Sequence, residues 1–314
     1  MAERASAIAR RELLLGAGAF AALAPTIAFT QNGATDPLFV PAQTRWSDPP
    51  QQAPAEANPR SLGHARLFAW DTGGPGQAIV LLHPMTGSHA VWPYQQPVFA
   101  AAGYRVMGYS RRGFFASDPL PADGRADDAD DLRALLDYFD IDRAHLVASA
   151  AGGFVALDFA ARFPERVRTL VTASTLAVAT SPDMRAMLEG LLPPGWEALP
   201  PEFRELGPSY RIGNPAGTRR WIALERQARH GPATARRAPR RRLDPGKLPP
   251  LLCLTGDADL YAPPALMRAF ARTIPRAELA VIGEGGHALF WEQPEGFNRT
   301  ILSFLERHRE GMPI

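Results

Sequence analysis

The chain has 314 residues, 46% of them hydrophobic, enough to bury a sizeable core in one large domain with an insertion or in two small ones. A formal net charge of +2 gives no global field for nucleic acid. The single cysteine, Cys253, excludes an intramolecular disulfide framework, no His or Cys pair stands at metal-ligand spacing, and nothing in the sequence calls for a cofactor.

Arg10 and Arg11 precede a short apolar stretch rich in Gly and Ala, the pattern of a twin-arginine export signal over residues 1–28. The stretch is too short for a comfortable membrane span. Ala22-x-Ala24 and Thr26-x-Ala28 both satisfy the small-residue rule for cleavage. The expected partner at this end is the export machinery. The expected location is the periplasm or the outside of a bacterial cell, without stable membrane association after processing. Residues 29–60, rich in Pro, Gln and Ala, read as an extended linker.

Residues 65–71 read as a strand and 73–76 as a turn. The continuous apolar run at 79–82 fits a parallel strand buried on both faces, and it ends in His83-Pro84-Met85-Thr86-Gly87-Ser88. A helix ending near 103 leads to a strand at 104–109 and the loop SRRGFFASD at 110–118. Residues 127–139 place Leu132, Leu135, Leu136 and Phe139 at helical spacing behind an acidic first turn. Residues 145–154, HLVASAAGGF, read as a buried strand, a sharp turn and the start of a helix. Between 172 and 251 the strand–helix alternation stops, with short helices expected at 184–192, 201–206 and 218–229. The Arg-rich run at 235–242 reads as a solvated loop, without the aromatic interleaving that would point to nucleic acid. Strands at 251–255 and 278–282 and an amphipathic helix at 294–308 follow.

These motifs together resemble the α/β-hydrolase superfamily, in its proline-iminopeptidase, haloperoxidase and C–C hydrolase-like branch. The stretch HLVASAAGGFVALDFAARFPERVRTLV is similar to that family's nucleophile elbow, its helix and the next strand. The loop at His83 is similar to the family's His-Gly-x-x-Gly, with Pro84 in place of the Gly. SRRGFFASD is similar to Asp-x-Arg-Gly-x-Gly-x-Ser, with Ser110 in place of the Asp. The resemblance implies a mostly parallel, doubly wound α/β sheet from residues 61–175 and 245–314, with a helical cap at 176–244. It implies that the Met85 and Ala151 N–H groups bind an oxyanion. Gly256-Asp257-Ala258-Asp259 and Gly285-Gly286-His287 match the family's acid and base, with Asp259 the better match and Asp257 the weaker rival. The order elbow, acid, His is that of this fold. His83 has a second reading, as a buried residue holding its loop together.

The elbow carries no serine at the expected place, and three readings stand. Ala148-Ser149-Ala150-Ala151-Gly152 puts Ala150 at the nucleophile position, which leaves a base and an acid without an attacking oxygen. A one-residue shift makes Ser149 the nucleophile, with Val147 where a small residue is needed. In the third, His287 oriented by Asp259 is a general base without covalent catalysis. His83, His89, Trp92, Phe114, Phe154, Tyr261, Phe290 and Trp291 are candidates to line a largely apolar pocket. From the cap, Leu188, Leu191, Leu192, Trp196 and Phe203 are candidates to face the site or to pack the cap on the core. The expected function is an exported enzyme acting on a small, largely apolar ester, lactone or ketone-type carbonyl substrate. The alternatives are a cofactor-independent lyase or oxygenase with His287 as base, and a catalytically silent small-molecule-binding member.

Overall fold

A computed structural model describes residues 37–121, 127–176, 182–230 and 243–309. The export signal at 1–28 and the Arg-rich run at 235–242 lie outside the described residues. Among those described, nine strands form one sheet in the order β1-β9-β8-β7-β6-β4-β5-β3-β2. They are β1 (Leu38–Val40), β2 (Glu56–Ser61), β3 (Arg66–Asp71), β4 (Ala78–Leu82), β5 (Arg105–Tyr109), β6 (Ala144–Ser149), β7 (Val167–Ala173), β8 (Leu251–Gly256) and β9 (Glu278–Ile282). From β1 across to β5 every pairing is parallel; β3 pairs antiparallel with β5 and β2 with β3.

The expected linker is corrected here. Leu38–Val40 adds a parallel edge strand beside β9, and Glu56–Ser61 pairs along the whole of β3. An edge strand tolerates a proline such as Pro59 and needs no apolar face of its own, so EANPRS carries no strand pattern.

Successive strand residues face opposite sides of the sheet. Val80 and Leu82 of β4 join Met107, Leu146 and Ala148 on one face. That face is covered by α2 (Asp128–Tyr138), α3 (Ala151–Arg162) and α8 (Pro264–Ala271) through Leu132, Leu136, Val155, Phe159, Met267 and Phe270. Ile79 and Leu81 join Val147, Val171 and Leu254 on the other, under α1 (Gln96–Ala101) and α10 (Pro294–Arg307) through Phe99, Phe297 and Phe304. Helix α2 begins where the acidic turn predicts it, the Asp127 carboxylate accepting from the Ala129 and Asp130 N–H groups at 3.1 Å.

The cap inserted between β7 and β8 comprises α4 (Pro182–Leu191), α5 (Pro201–Glu205), α6 (Pro208–Gly213) and α7 (Pro215–Ala228). Four prolines at helix starts divide it. Leu206, Tyr210 and Trp221 bury it against the second face of the core. Leu191 and Phe203 do not contribute to that packing: they stand 47% and 50% exposed, while Trp196 is buried and Leu188 and Leu192 are half-buried. The cap is also fastened to the 110–118 loop, where Phe114 bridges Arg229 and the Phe115 N–H donates to Ala228 O at 2.8 Å.

Candidate active site

Four loops meet at the carboxyl edge of the parallel strands, the usual ligand edge of a doubly wound sheet. They follow β4, β6, β8 and β9 and carry Met85, Ala150, Asp259 and His287.

The elbow is centred on Ala150. Strand β6 is wholly buried to its last residue, Ser149, and α3 starts at Ala151. Between them Ala150 sits at φ 48°, ψ −112°, a left-handed strain that a residue with a Cβ holds only when its surroundings impose it. The Ala150 N–H donates to Ala173 O at 2.8 Å, and the Thr175 hydroxyl donates to Ala150 O at 3.0 Å. Gly152 and Gly153 complete the constraint, since a Cβ on either would collide, with Leu82 O and with the Thr175 side chain respectively. Ser149 is fully buried, and its hydroxyl has no hydrogen-bond partner among the described residues.

Asp259 and His287 come together. The His287 Nδ1 lies 3.0 Å from both Asp259 oxygens, and Asp259 Oδ1 also accepts from the N–H groups of Tyr261 (2.9 Å) and Ala262 (3.0 Å). Both side chains are buried. Burial pushes the Asp259 carboxyl up, but the charge of His287 and these hydrogen bonds outweigh it and hold the carboxyl below its ordinary value. An ionised Asp259 accepting from Nδ1–H makes Nε2 the basic nitrogen of His287, the one that takes a proton. Asp257 is exposed, and burial together with the Glu284 charge raises its carboxyl. Met85 is half-buried, and neither its N–H nor that of Ala151 donates to a protein acceptor among the described residues.

His83 lies beneath the site with no exposed surface, which corrects its place among the pocket residues. Its Nδ1 is 2.7 Å from Pro84 O, and its Nε2 accepts from the Arg111 N–H at 3.1 Å. Burial and the Arg111 charge keep it well below the ordinary pKa, hence neutral. Arg111 in turn donates to His83 O at 3.1 Å, so the two residues brace the loop that carries Met85. Ser110, in the position of the expected Asp, holds His89 Nδ1 at 3.0 Å, and burial lowers His89 to about 4. Trp92, Phe290 and Trp291 are core residues, 1% exposed or less, and Phe114 is buried over the Arg111 guanidinium. Phe154 and Tyr261 are half-buried, and the Tyr261 ring lies 4.6 Å from that of His287 and 5.4 Å from that of Trp196 in the cap.

Two carboxyl groups that sequence reasoning missed join this edge. Glu292, in α9 (Leu289–Glu292), is fully buried and ties the cap to the His287 loop by accepting from the N–H groups of Gly207 (2.6 Å) and Gly286 (3.1 Å). Glu205, the last residue of α5, is half-buried; its C=O accepts from the Ala288 N–H at 2.9 Å, and burial raises its carboxyl above the ordinary value. Gly286 admits this contact because a Cβ there would collide with Gly207 N. No helical period marks either acid, since each is set by tertiary approach of cap to core.

Burial raises Glu292 from an ordinary 4.5 to about 8, against the two N–H groups that favour its charge. A raised carboxyl stabilises the fold fully below about 4.5, and that stability is lost as pH rises through 8. Glu292→Gln keeps the acceptor without the ionisation. The expected result is a thermal-unfolding gap that widens in favour of the variant from pH 5 to pH 8, by at most about 1.4 kcal/mol per pH unit. A gap independent of pH would contradict this assignment.

Residues 77–218 match the family model for the alpha/beta hydrolase fold. The chain is 32% identical over 266 residues to a 2-hydroxy-6-oxononadienedioate/2-hydroxy-6-oxononatrienedioate hydrolase of Burkholderia vietnamiensis, covering 77% of this chain and 91% of that protein. Among solved structures it is similar to a thermophilic esterase from Thermogutta terrifontis, with TM-score 0.65 and 26% identity over 82% of this chain and 99% of that one. A bromoperoxidase from Bacillus anthracis shares the fold, with TM-score 0.65 and 23% identity over 80% of this chain and the whole of that one. With this likeness and an elbow, acid and histidine in the order of the fold, the chain belongs to the α/β-hydrolase fold family.

Proposed function

We propose that the protein is a hydrolase of small, largely apolar ester, lactone or ketone-type carbonyl substrates that attacks with water instead of a side chain. The observation that carries this reading is Ala150, a methyl group held in the strained elbow conformation on the same strand-end edge as the Asp259–His287 pair. His287 Nε2 takes a proton from water, and the hydroxide adds to the carbonyl carbon in the space a serine oxygen would occupy. The Met85 and Ala151 N–H groups bind the oxyanion, each worth about 10²–10³ in rate in comparable sites. When the bond to the leaving atom breaks, one proton is delivered to that atom. The relative that hydrolyses 2-hydroxy-6-oxo-dienedioates supports the carbonyl substrate class.

A catalytically silent binding role is the second reading, favoured by the same missing oxygen. A panel of p-nitrophenyl esters, lactones and diketones separates them. Turnover that persists in Ser149→Ala is expected, because Ser149 is the fully buried last residue of β6, one before the elbow residue Ala150. Absence of turnover across the panel, with ligand binding retained, establishes the silent reading. Export through the paired Arg10–Arg11 signal belongs to the same proposal. Cell fractionation is expected to place the mature chain in the periplasm, and the double substitution Arg10→Lys with Arg11→Lys to retain it in the cytoplasm.

A further inference from the structure

We propose that Thr175 is a positioning residue for the oxyanion donor: its buried hydroxyl fixes and polarises the peptide group that carries the Ala151 N–H. This inference rests on the water-attack reading above, in which that N–H binds the developing oxyanion. The Ala150 C=O and the Ala151 N–H belong to one peptide group. In a planar trans peptide they point in opposite directions, so whatever holds the oxygen aims the N–H. Ala150 O accepts twice, from the Thr175 hydroxyl at 3.0 Å and from the Gly153 N–H at 2.9 Å. Both lone pairs of the carbonyl are thereby used, toward Thr175 and the first turn of α3. The Ala151 N–H, on the opposite side, is one of the orphan donors of a helix start and has no protein acceptor among the described residues.

The hydroxyl is itself placed by the fold. Strand β7 ends at Ala173, and Ser174 then turns at φ 54°, with its N–H on Leu254 O of β8 at 2.8 Å. That turn brings the Thr175 side chain, 1% exposed, against the elbow. Its Oγ1 also lies 2.9 Å from Ala173 O, which accepts the Ala150 N–H at 2.8 Å. The one hydroxyl proton is shared between the two carbonyls as a three-centre bond. The N–H and the C=O of Ala150 are thus both tied to the end of β7, and the elbow cannot relax its φ of 48° without breaking these bonds. Gly153 makes room for the arrangement, since a Cβ there would stand 2.2 Å from Thr175 Oγ1. A valine would fill nearly the same volume at 175, so the hydrogen bond to Ala150 O is what the threonine adds. A bond at the carbonyl oxygen also draws electron density from the peptide nitrogen, which makes the N–H a stronger donor.

The test compares Thr175→Val, which removes the hydroxyl at nearly constant volume, with Thr175→Ser, which keeps it. Thr175→Ala and Gly153→Ala disrupt the same bond by other routes and replace the Val variant if it does not fold. The first readout is steady-state kinetics on an ester of the panel. Thr175→Val is expected to lower kcat by about 10- to 10²-fold, less than outright loss of a donor, with KM within about 2-fold, because the oxyanion exists only beyond the ground state. Thr175→Ser is expected to stay within about 3-fold of wild type, since the bond is kept. Thr175→Val combined with Gly153→Ala is expected to cost no more than the larger single change, because both act through one bond. The second readout is independent of turnover: the affinity for phenylphosphonate, a tetrahedral oxyanion probe, and the nitrogen resonance of the Ala151 amide. Thr175→Val is expected to weaken phenylphosphonate by about 10-fold and to move the Ala151 resonance of the free protein upfield, with both restored in Thr175→Ser. Unchanged kcat and phenylphosphonate affinity in a folded Thr175→Val overturn the inference and leave the water-attack reading standing, as does an equal loss in Thr175→Ser. Absence of wild-type turnover across the panel removes the function, and phenylphosphonate then decides alone. A loss of affinity confined to the variants without the bond keeps the Thr175 assignment; no loss, or no binding by the wild type, overturns it.

Discussion

Ala150→Ser is expected to raise turnover of activated esters by about 10²-fold or more and to make the protein react covalently with a fluorophosphonate at residue 150. The backbone cost of the elbow is already met, since Ala150 holds φ 48° with a Cβ in place, and serine adds a single oxygen to that methyl. That oxygen would stand at the tip of the strained turn on the same strand-end edge as the Asp259–His287 pair, whose basic nitrogen, Nε2, would accept its proton. A serine, histidine and acid act as a unit in such sites, and restoring the missing member recovers several orders of magnitude in rate at once. An inert Ala150→Ser that folds as the wild type does would mean that the base and oxyanion donors are not aligned on residue 150.

His287→Ala is expected to lower wild-type kcat by about 10²–10⁴-fold, the range a positioned general base contributes. Asp259→Asn is expected to fall within that range, because it withdraws the ionised acceptor that fixes Nδ1–H and leaves Nε2 as the base. Ser149→Ala measured beside them is expected to match wild type. If Ser149→Ala abolishes turnover and His287→Ala does not, Ser149 is no bystander and His287 is not the base. Both His287 and Asp259 are buried, so thermal unfolding of each variant must accompany the kinetics. An unpaired buried Asp259 costs stability as well as rate.

The sheet and the dyad were legible because their signals are local or ordinal. Apolar runs such as 79–82 mark strands buried on both faces, and the match of Gly256-Asp257-Ala258-Asp259 to the family's acid motif prefers Asp259 to Asp257 before any distance is known. The spacing of small residues likewise marks Ala150, and its dihedral angles carry the same preference over Ser149. What the sequence hid depends on approach in space. Pro59 and its polar neighbours conceal strand β2, whose pairing is supplied by β3 alone. Trp92 and Phe290 are aromatic like Phe154 and Tyr261, yet the first two are core and the others half-buried. Aromatic character records apolarity without recording which side of the wall a ring occupies. Glu205 and Glu292 gain their positions only when the cap folds back onto the His287 loop, so an acid in PPEFRELG reads as an ordinary helix surface.

Intact-mass analysis of the wild-type protein, quenched during turnover of an ester it hydrolyses, tests water attack most directly. The expected spectrum shows the unmodified chain alone while substrate is consumed, with Ala150→Ser run in parallel to display the acyl adduct under the same quench. An acyl adduct on the wild-type protein, mapped to Ser149 or any other side chain, would contradict attack by water.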